Sequence, residues 1–290
     1  MDKYKAHLIA QGFTQIYGSD FFETYLPVTK LTTFQMILVL ATQEDWEINS
    51  FDFNRAYLNG ELNEQEDIYM KNLPGYDSDQ GTIKHLKKLL YGLKQARQKW
   101  YNTLKCTLAD LGFCVSKVDP GVFHTHVGKH PIIIAVHVDD CAITSSSGAV
   151  LQDYKCKINA HHSIINLGPI HWLLGIKITR DCSVCIIALS QESYINTITQ
   201  HFNLSNAKPI HAPMIPGISY LVKDAPTDKT NMACMAKVPY CKAISSLMYA
   251  SVATHPDISF TVLTLLQFLE NLGEAHWEAT KRVFHYLTGT

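Results

Sequence analysis

The stretch "IIIAVHVDDCAIT", residues 132–144, restricts the possible folds of this chain more than any other. Ile132 to Val138 is almost entirely apolar and β-branched, as a buried strand should be. Two carboxylates, Asp139 and Asp140, then arrive together, and Cys141, Ala142 and Ile143 restore the apolar character. Side chains alternate faces along a regular strand, so neighbours cannot both aim at one point unless a tight turn breaks the alternation. A solvated hairpin tip would satisfy such a turn, but the flanking strands read as buried in a sheet. Two carboxylates about 4 Å apart repel by roughly 4 kcal/mol at an effective dielectric near 20. Left alone, one of them takes up a proton. A divalent cation relieves the repulsion, and Mg²⁺ favours one or two carboxylates together with waters and substrate phosphates.

A third acid is expected at such a site. Asp52 in "INSFDFNRAYLNG" is again an Asp at the end of an apolar strand entering a turn. Asp52, Asp139 and Asp140 converging from neighbouring strands would hold two metals about 3.5–4 Å apart. On the residues alone this suggests a two-metal phosphoryl transferase or a two-metal nuclease. Charge is segregated although the net charge is only −1: Lys84, Lys87, Lys88, Lys94, Arg97, Lys99 and Lys105 follow one another with no acid between them. That run is either a solvated helix face or a phosphate-contacting surface. Cys182-Ser-Val-Cys185 has metal-type spacing but no second pair at zinc-finger distance, and reads as a turn between strands. With no secretory signal at Met1-Asp2-Lys3-Tyr4, the eight cysteines read as reduced thiols. No apolar run approaches the roughly 18 residues that a bilayer requires, so no membrane partner is expected.

Along the chain, residues 33–43 have helical spacing, with Thr32 as the expected N-cap. Strands are expected at 46–53, around 67–70 and 82–86, and within 121–144, with turns at Asn59-Gly60 and Gly128-Lys129. Helices are expected at 93–111 and 148–160. Residues 170–179 read as a strand paired with 184–190. From there helices alone follow, at 191–202, 240–254, 257–269 and 275–287, with 205–238 as a long, partly mobile connection. Strands mixed with helices, then helices alone, make an α+β chain with a helical C-terminal part. Its 47% hydrophobic content over 290 residues supports one large domain or two smaller ones.

The succession "YKAHLIAQGF", "ETYLPVTKLTT", "DFNRAYLNGEL", "IYMKNLPGY", "LYGLKQA", "HVDD", "NLGPIHWLLGIKI", "LSQESYI", "SSLMYASVATHPDISF" and "HWEATKRVFHYLTGT" resembles, over essentially the whole chain, the reverse transcriptase of copia-type retrotransposon Pol polyproteins. The resemblance implies a right-hand polymerase fold: incomplete fingers at 1–45 and 60–92, a palm with an antiparallel sheet on helices at 46–59 and 93–185, and a thumb or connection at 186–290. It implies RNA-directed DNA synthesis on an RNA template and DNA primer from dNTPs with Mg²⁺, Mn²⁺ being the alternative. Carried over by position, Asp52, Asp139 and Asp140 are the catalytic metal ligands. Tyr57 would lie under the sugar, where a ring would clash with a 2′-hydroxyl. Gly92, Gln95 and His7 belong with the nucleotide. Trp172, Leu173 and Gly175 form the primer-grip hairpin. Lys94, Arg97 and Lys99 would face the nucleic-acid duplex.

The chain departs from that pattern at several places. The arginine expected to meet the triphosphate is His7, a mostly neutral imidazole in place of a permanent cation. The tyrosine opening Y-V-D-D is His137, and Gln98 stands where an arginine usually follows the Gly-x-Lys-Gln motif. Asn166 replaces an Asp, Ser245 a Gly, and His255 and His285 replace arginines. These changes raise the expectation of a decayed or repurposed relic that binds nucleic acid without catalysis. The chain is expected to lack upstream finger strands and the ribonuclease H and integrase regions of a parent polyprotein. Location is expected in the cytoplasm, within the parent element's virus-like particle, with the nucleus as a second place.

Overall fold

The computed structural model describes residues 8–60, 62, 67–72 and 83–290. The first helix, α1 (Leu31–Gln43), buries Phe34, Ile37, Leu38 and Ala41 on one face, as its period predicts. Its cap differs from expectation. Thr32 lies inside the helix, and Lys30 at the N-cap offers no side-chain bond. The buried Asp119 carboxylate instead accepts from the Lys30 N–H at 2.9 Å and the Thr33 hydroxyl at 2.7 Å. A distant residue thus supplies the acceptor that a helix start requires. At the other end of α1 the Arg180 guanidinium donates to the carbonyls of Trp46 (2.5 Å) and Ala41 (3.2 Å) and pairs with Asp45 (3.0 Å).

Next come β1 (Glu47–Phe53), a 3₁₀ turn at Ala56–Asn59, and the short antiparallel pair β2 (Tyr69–Lys71) and β3 (Ile83–His85). α2 (Ala96–Asp110) buries Trp100, Tyr101, Leu104 and Leu108. β4 (Cys114–Val115), β5 (Val122–Val127), β6 (His130–His137), β7 (Asp140–Ser145), α3 (Gly148–His161) and β8 (Ile164–Pro169) follow. Six strands form one sheet in the order β4-β5-β6-β7-β1-β8, each pair antiparallel. Register opposes Phe51 to Cys141 and Ile134 to Ile143. One face is therefore largely apolar, and it joins Trp100, Leu104 and Leu108 of α2 and Leu151 and Ile158 of α3 in a single core. The strand β8 was not expected from sequence, yet it pairs along β1 and so keeps β1 off the sheet edge.

The expected single strand at 170–179 is instead a hairpin. β9 (Trp172–Leu173) and β10 (Ile176–Asp181) are joined by Leu174 and Gly175, both with positive φ (51° and 77°). β11 (Ile186–Ser190) completes that three-stranded sheet, and Cys182 and Cys185 fall in the turn before it as free, exposed thiols. The helices α4 (Glu192–His201), α5 (Lys229–Met235), α6 (Tyr240–Ala253), α7 (Ser259–Leu266) and α8 (Glu274–Leu287) end the chain. Ile195, Ile244, Leu247, Val262, Leu265 and Phe284 form the common core of α4, α6, α7 and α8. Residues 205–238, expected as a connection, include α5 and bond to α8 through Ile210 N–H to the His285 carbonyl and Arg282 Nε to the Ala212 carbonyl.

The chain divides into two compact units, Met1–His171 with Arg180–Ile187, and Trp172–Thr179 with Ala188–Thr290. Within the second unit the Tyr249 hydroxyl of α6 donates to the Leu174 carbonyl. Among the described residues, no helix is long and apolar enough to cross a membrane.

Candidate active site

The chain between β6 and β7 is a two-residue turn, Val138 and Asp139. Val138 sits at φ 62°, a costly place for a β-branched residue. Its carbonyl accepts from Trp100 Nε1 at 3.4 Å, and the Asp139 carbonyl accepts from Phe53 N–H at 3.3 Å. The turn resets the alternation, so Asp140 leaves β7 on the face opposite the core. Register then makes a row across neighbouring strands: His137 of β6, Asp140 of β7, Asp52 of β1 and Ile165 of β8. Side chains so opposed have Cβ atoms about 4.5–5.5 Å apart. The row, with Val138, Asp139 and Leu167, lines an open cleft of about 490 Å³.

Charge repulsion is visible in this cleft. Burial, and then the charges of Asp52 and Asp140, push the Asp139 carboxyl up to about 6, against a hydrogen bond from Tyr91. Burial and the Asp140 charge raise Asp52, opposed by the Phe53 N–H. Tyr91, which sequence reasoning did not single out although it lies in the quoted "LYGLKQA", is pushed up to about 12 by burial and by Asp139. Asp139 Oδ1 is buried with no hydrogen-bond partner. Among the described residues, no three His, Cys, Asp or Glu side chains are gathered closely enough to hold a metal ion as they stand. The donors nevertheless suit a hard divalent cation in kind: three carboxylates on one cleft, mutually repelling, with one buried oxygen unpartnered. Mg²⁺ needs no closed protein cage, because it keeps several waters.

A second pocket, of about 720 Å³, is lined by Phe21, Tyr57, Tyr91, Gly92, Lys94 and Arg97, among others. The Tyr57 and Tyr91 rings meet edge to face at 4.6 Å, and both hydroxyls feel the Asp139 charge. Gly92 has φ 94°, and a Cβ there would stand 2.1 Å from the Ala10 carbonyl oxygen. Lys94 and Arg97, expected to face a duplex, line this pocket with Tyr57; Lys99 does not. The Lys94 ammonium also lies 4.6 Å from the Phe21 ring centre and donates to the Gln15 carbonyl.

Gln95 does not reach the pocket. It is fully buried, accepting from Gln15 Nε2 (3.0 Å) and donating to the Asp20 carbonyl (3.0 Å), so it clips residues 15–20 onto the start of α2. Gln98 bonds to Glu23. His7 lies outside the described residues. Trp172 is half-exposed, Leu173 is buried and Gly175 forms the β9–β10 turn, all three within the second unit.

Residues 1–216 match a family profile described as "Reverse transcriptase (RNA-dependent DNA polymerase)". The chain is 37% identical over 291 residues to the "Retrovirus-related Pol polyprotein from transposon TNT 1-94" of Nicotiana tabacum, covering 99% of this chain and 22% of that protein. It is 35% identical over 294 residues to the "Retrovirus-related Pol polyprotein from transposon RE1" of Arabidopsis thaliana, covering 100% of this chain and 19% of that one. Against the RE2 polyprotein of the same plant the identity is 33% over 296 residues, with coverage of 100% and 19%. The chain thus spans about a fifth of the length of these curated relatives.

Proposed function

The chain belongs to the reverse transcriptase (RNA-dependent DNA polymerase) family, and from that premise we propose that it carries the polymerase centre of a copia-type retrotransposon Pol polyprotein. The reaction is nucleotidyl transfer from a dNTP to the 3′-hydroxyl of a DNA primer on an RNA template. The observation that carries this reading is the cross-strand row of Asp52 and Asp140 with Asp139 at the adjoining turn. In this reading the six-stranded sheet with α2 and α3 is the palm, residues before 46 and from 60 to 92 are fingers, and the second unit is the thumb or connection. Its Trp172–Gly175 hairpin is the primer grip.

Asp52, Asp139 and Asp140 would hold the divalent cations, Mg²⁺ or Mn²⁺. When bound, such ions activate the attacking hydroxyl and neutralise charge on the phosphates. The other duties fall to the chain itself. The Tyr57 and Tyr91 rings give a flat wall for a base and sugar. Lys94 and Arg97 place two cations along it, and no acid is present among the described residues lining that pocket. An aromatic wall lined with positive charge suits a nucleoside triphosphate. Asp139, raised to about 6, is mostly ionised at neutral pH and ready for a cation.

The test is extension of a primed RNA template by the purified protein with Mg²⁺ and dNTPs, beside Asp139→Asn. Extension that falls at least about a thousandfold in the variant supports the proposal, since catalysis by such ions depends on their ligands. Salt-sensitive binding with no extension would leave a relic. Template breakdown without dNTPs would point to a nuclease.

A further inference from the structure

Tyr57 is 6% exposed and is held from two sides. Tyr91 meets its ring edge to face, and Arg97 lines the same pocket wall, its positive charge acting on the Tyr57 hydroxyl. Arg97 is the second residue of α2 and is itself exposed at the pocket wall. Gln98, its neighbour, turns away to Glu23, so Arg97 alone of this pair addresses the pocket. The helix start that carries Arg97 is fixed by the buried Gln95 and its bonds to Gln15 and Asp20. The guanidinium that acts on the tyrosine hydroxyl therefore springs from a fixed helix start. A planar guanidinium fork keeps an oxygen in a defined direction, which an ammonium on a flexible stem does not.

We propose that Arg97 is a positioning residue for nucleotide selection: by fixing the Tyr57 ring it sets the clearance available to the sugar, and so how strongly the pocket prefers a deoxyribonucleotide to a ribonucleotide. The inference rests on the polymerase reading for its substrate class. It differs from a plain phosphate-binding role for the same side chain. A cation that only meets phosphates affects both sugars equally, whereas an anchor of the ring affects their ratio.

Binding of dATP and of ATP is measured at equilibrium with Mg²⁺ and an annealed RNA–DNA primer–template, for wild type, Arg97→Ala, Arg97→Lys, Tyr57→Phe and the Arg97→Ala/Tyr57→Phe pair. The expected result is that Arg97→Ala narrows the dATP-to-ATP preference by about fivefold to twentyfold, a size usual for contacting pairs, and has little further effect in the Tyr57→Phe background. Arg97→Lys should restore overall affinity but not the preference. The proposal is overturned if both nucleotides weaken equally in Arg97→Ala, if Arg97→Lys restores the preference, or if wild type shows no preference. Primer extension is scored separately. Preference without extension removes the polymerase reading and keeps this one, and extension with an unchanged ratio does the reverse.

Discussion

Asp52 and Asp140 stand directly opposite each other on adjacent antiparallel strands. Like charges in that position destabilise a sheet, and the third acid, Asp139, is the most affected, raised to about 6 by burial and then by the other two charges. A carboxyl with a folded value above its unfolded value of about 3.9 binds more protons in the folded state between those two values. Stability therefore falls as pH rises from about 4 to about 6, and stays at the lower level above. Asp139→Asn should remove the share of that fall that Asp139 contributes, leaving the smaller one from Asp52. In metal-free urea denaturation the variant is expected to be more stable than wild type by about 1–2 kcal/mol at pH 8, after allowing for solvent screening, and to match it near pH 4. Added Mg²⁺ should reverse the order at pH 8. Equal stability of both proteins at pH 8 without metal would refute the claim of repulsion.

Asp119 makes the opposite contribution. Burial alone would raise its carboxyl, but the Thr33 hydroxyl and the N–H groups of Lys30 and Gly121 outweigh burial and hold it below the usual carboxylate range. A depressed carboxyl contributes stability above the unfolded value, lost as pH falls through the folded one. Asp119→Ala leaves buried donors unpaired and should cost about 2–4 kcal/mol at pH 7. The difference between variant and wild type should shrink below about pH 4. Chemical denaturation across pH 2.5–7 measures it, and a gap that stays constant with pH would show that the charge is irrelevant.

Asp119 also illustrates what sequence could and could not disclose. α1, β1 and the β6–turn–β7 hairpin were legible because each is a local pattern: a helical period, an apolar run, a charge pair where alternation must break. The cap of α1 was not, since its acceptor arrives from another part of the chain, and Thr32 was the nearest residue of the right type. β8 was hidden because its edge position leaves Ile165 and Leu167 half-exposed, so "IINLGP" has no buried period to read. The β9–β10 turn was hidden from the residue pattern, because Leu174 adopts a positive φ that leucine rarely takes, and only the family resemblance suggested a hairpin there. In the site, the acids were apparent from sequence. Tyr91, the pocket position of Arg97 and the burial of Gln95 depend on how residues 9–24 fold over the start of α2, which no local pattern encodes.

Asn166 offers a test of one departure from the family pattern. The Lys155 ammonium of α3 is buried, 4% exposed, and donates to the Asn166 carbonyl oxygen at 2.7 Å. Burial pulls this lysine below its ordinary value, opposed by the Glu47 charge. A carboxylate in place of the amide would make that bond charge-assisted. Asn166→Asp should therefore stabilise the protein by about 1–2 kcal/mol at pH 7. A rise in the urea midpoint with an unchanged slope is the expected readout, and an unchanged or lower midpoint would mean that desolvation of the new charge cancels the gain.

Gly92 couples the two halves of the site, and its substitution should separate conformational cost from steric cost. Its φ of 94° costs an L-residue about 1–2 kcal/mol wherever it occurs. Here an added Cβ also meets the Ala10 carbonyl oxygen at 2.1 Å and Ile9 Cγ2 at 2.7 Å, on a segment whose Ala10 N–H bonds the Tyr91 carbonyl at 2.7 Å. Something must move, and the movable parts are residues 9–12 and the loop carrying Tyr91. Gly217 is the control: its φ is 79°, and a Cβ there meets nothing within 4 Å. Gly217→Ala should cost only about 1–2 kcal/mol, the conformational part. Gly92→Ala should cost about 2–4 kcal/mol, because overpacking is added to it. Displacing Tyr91 also withdraws its hydrogen bond from Asp139 and its ring from Tyr57, so nucleotide binding should weaken in Gly92→Ala by more than its lost stability explains. Urea denaturation and dATP binding on both variants decide it. Equal costs at the two glycines would mean that the approach of Ala10 relaxes freely and that the loop does not hold Tyr91 in place.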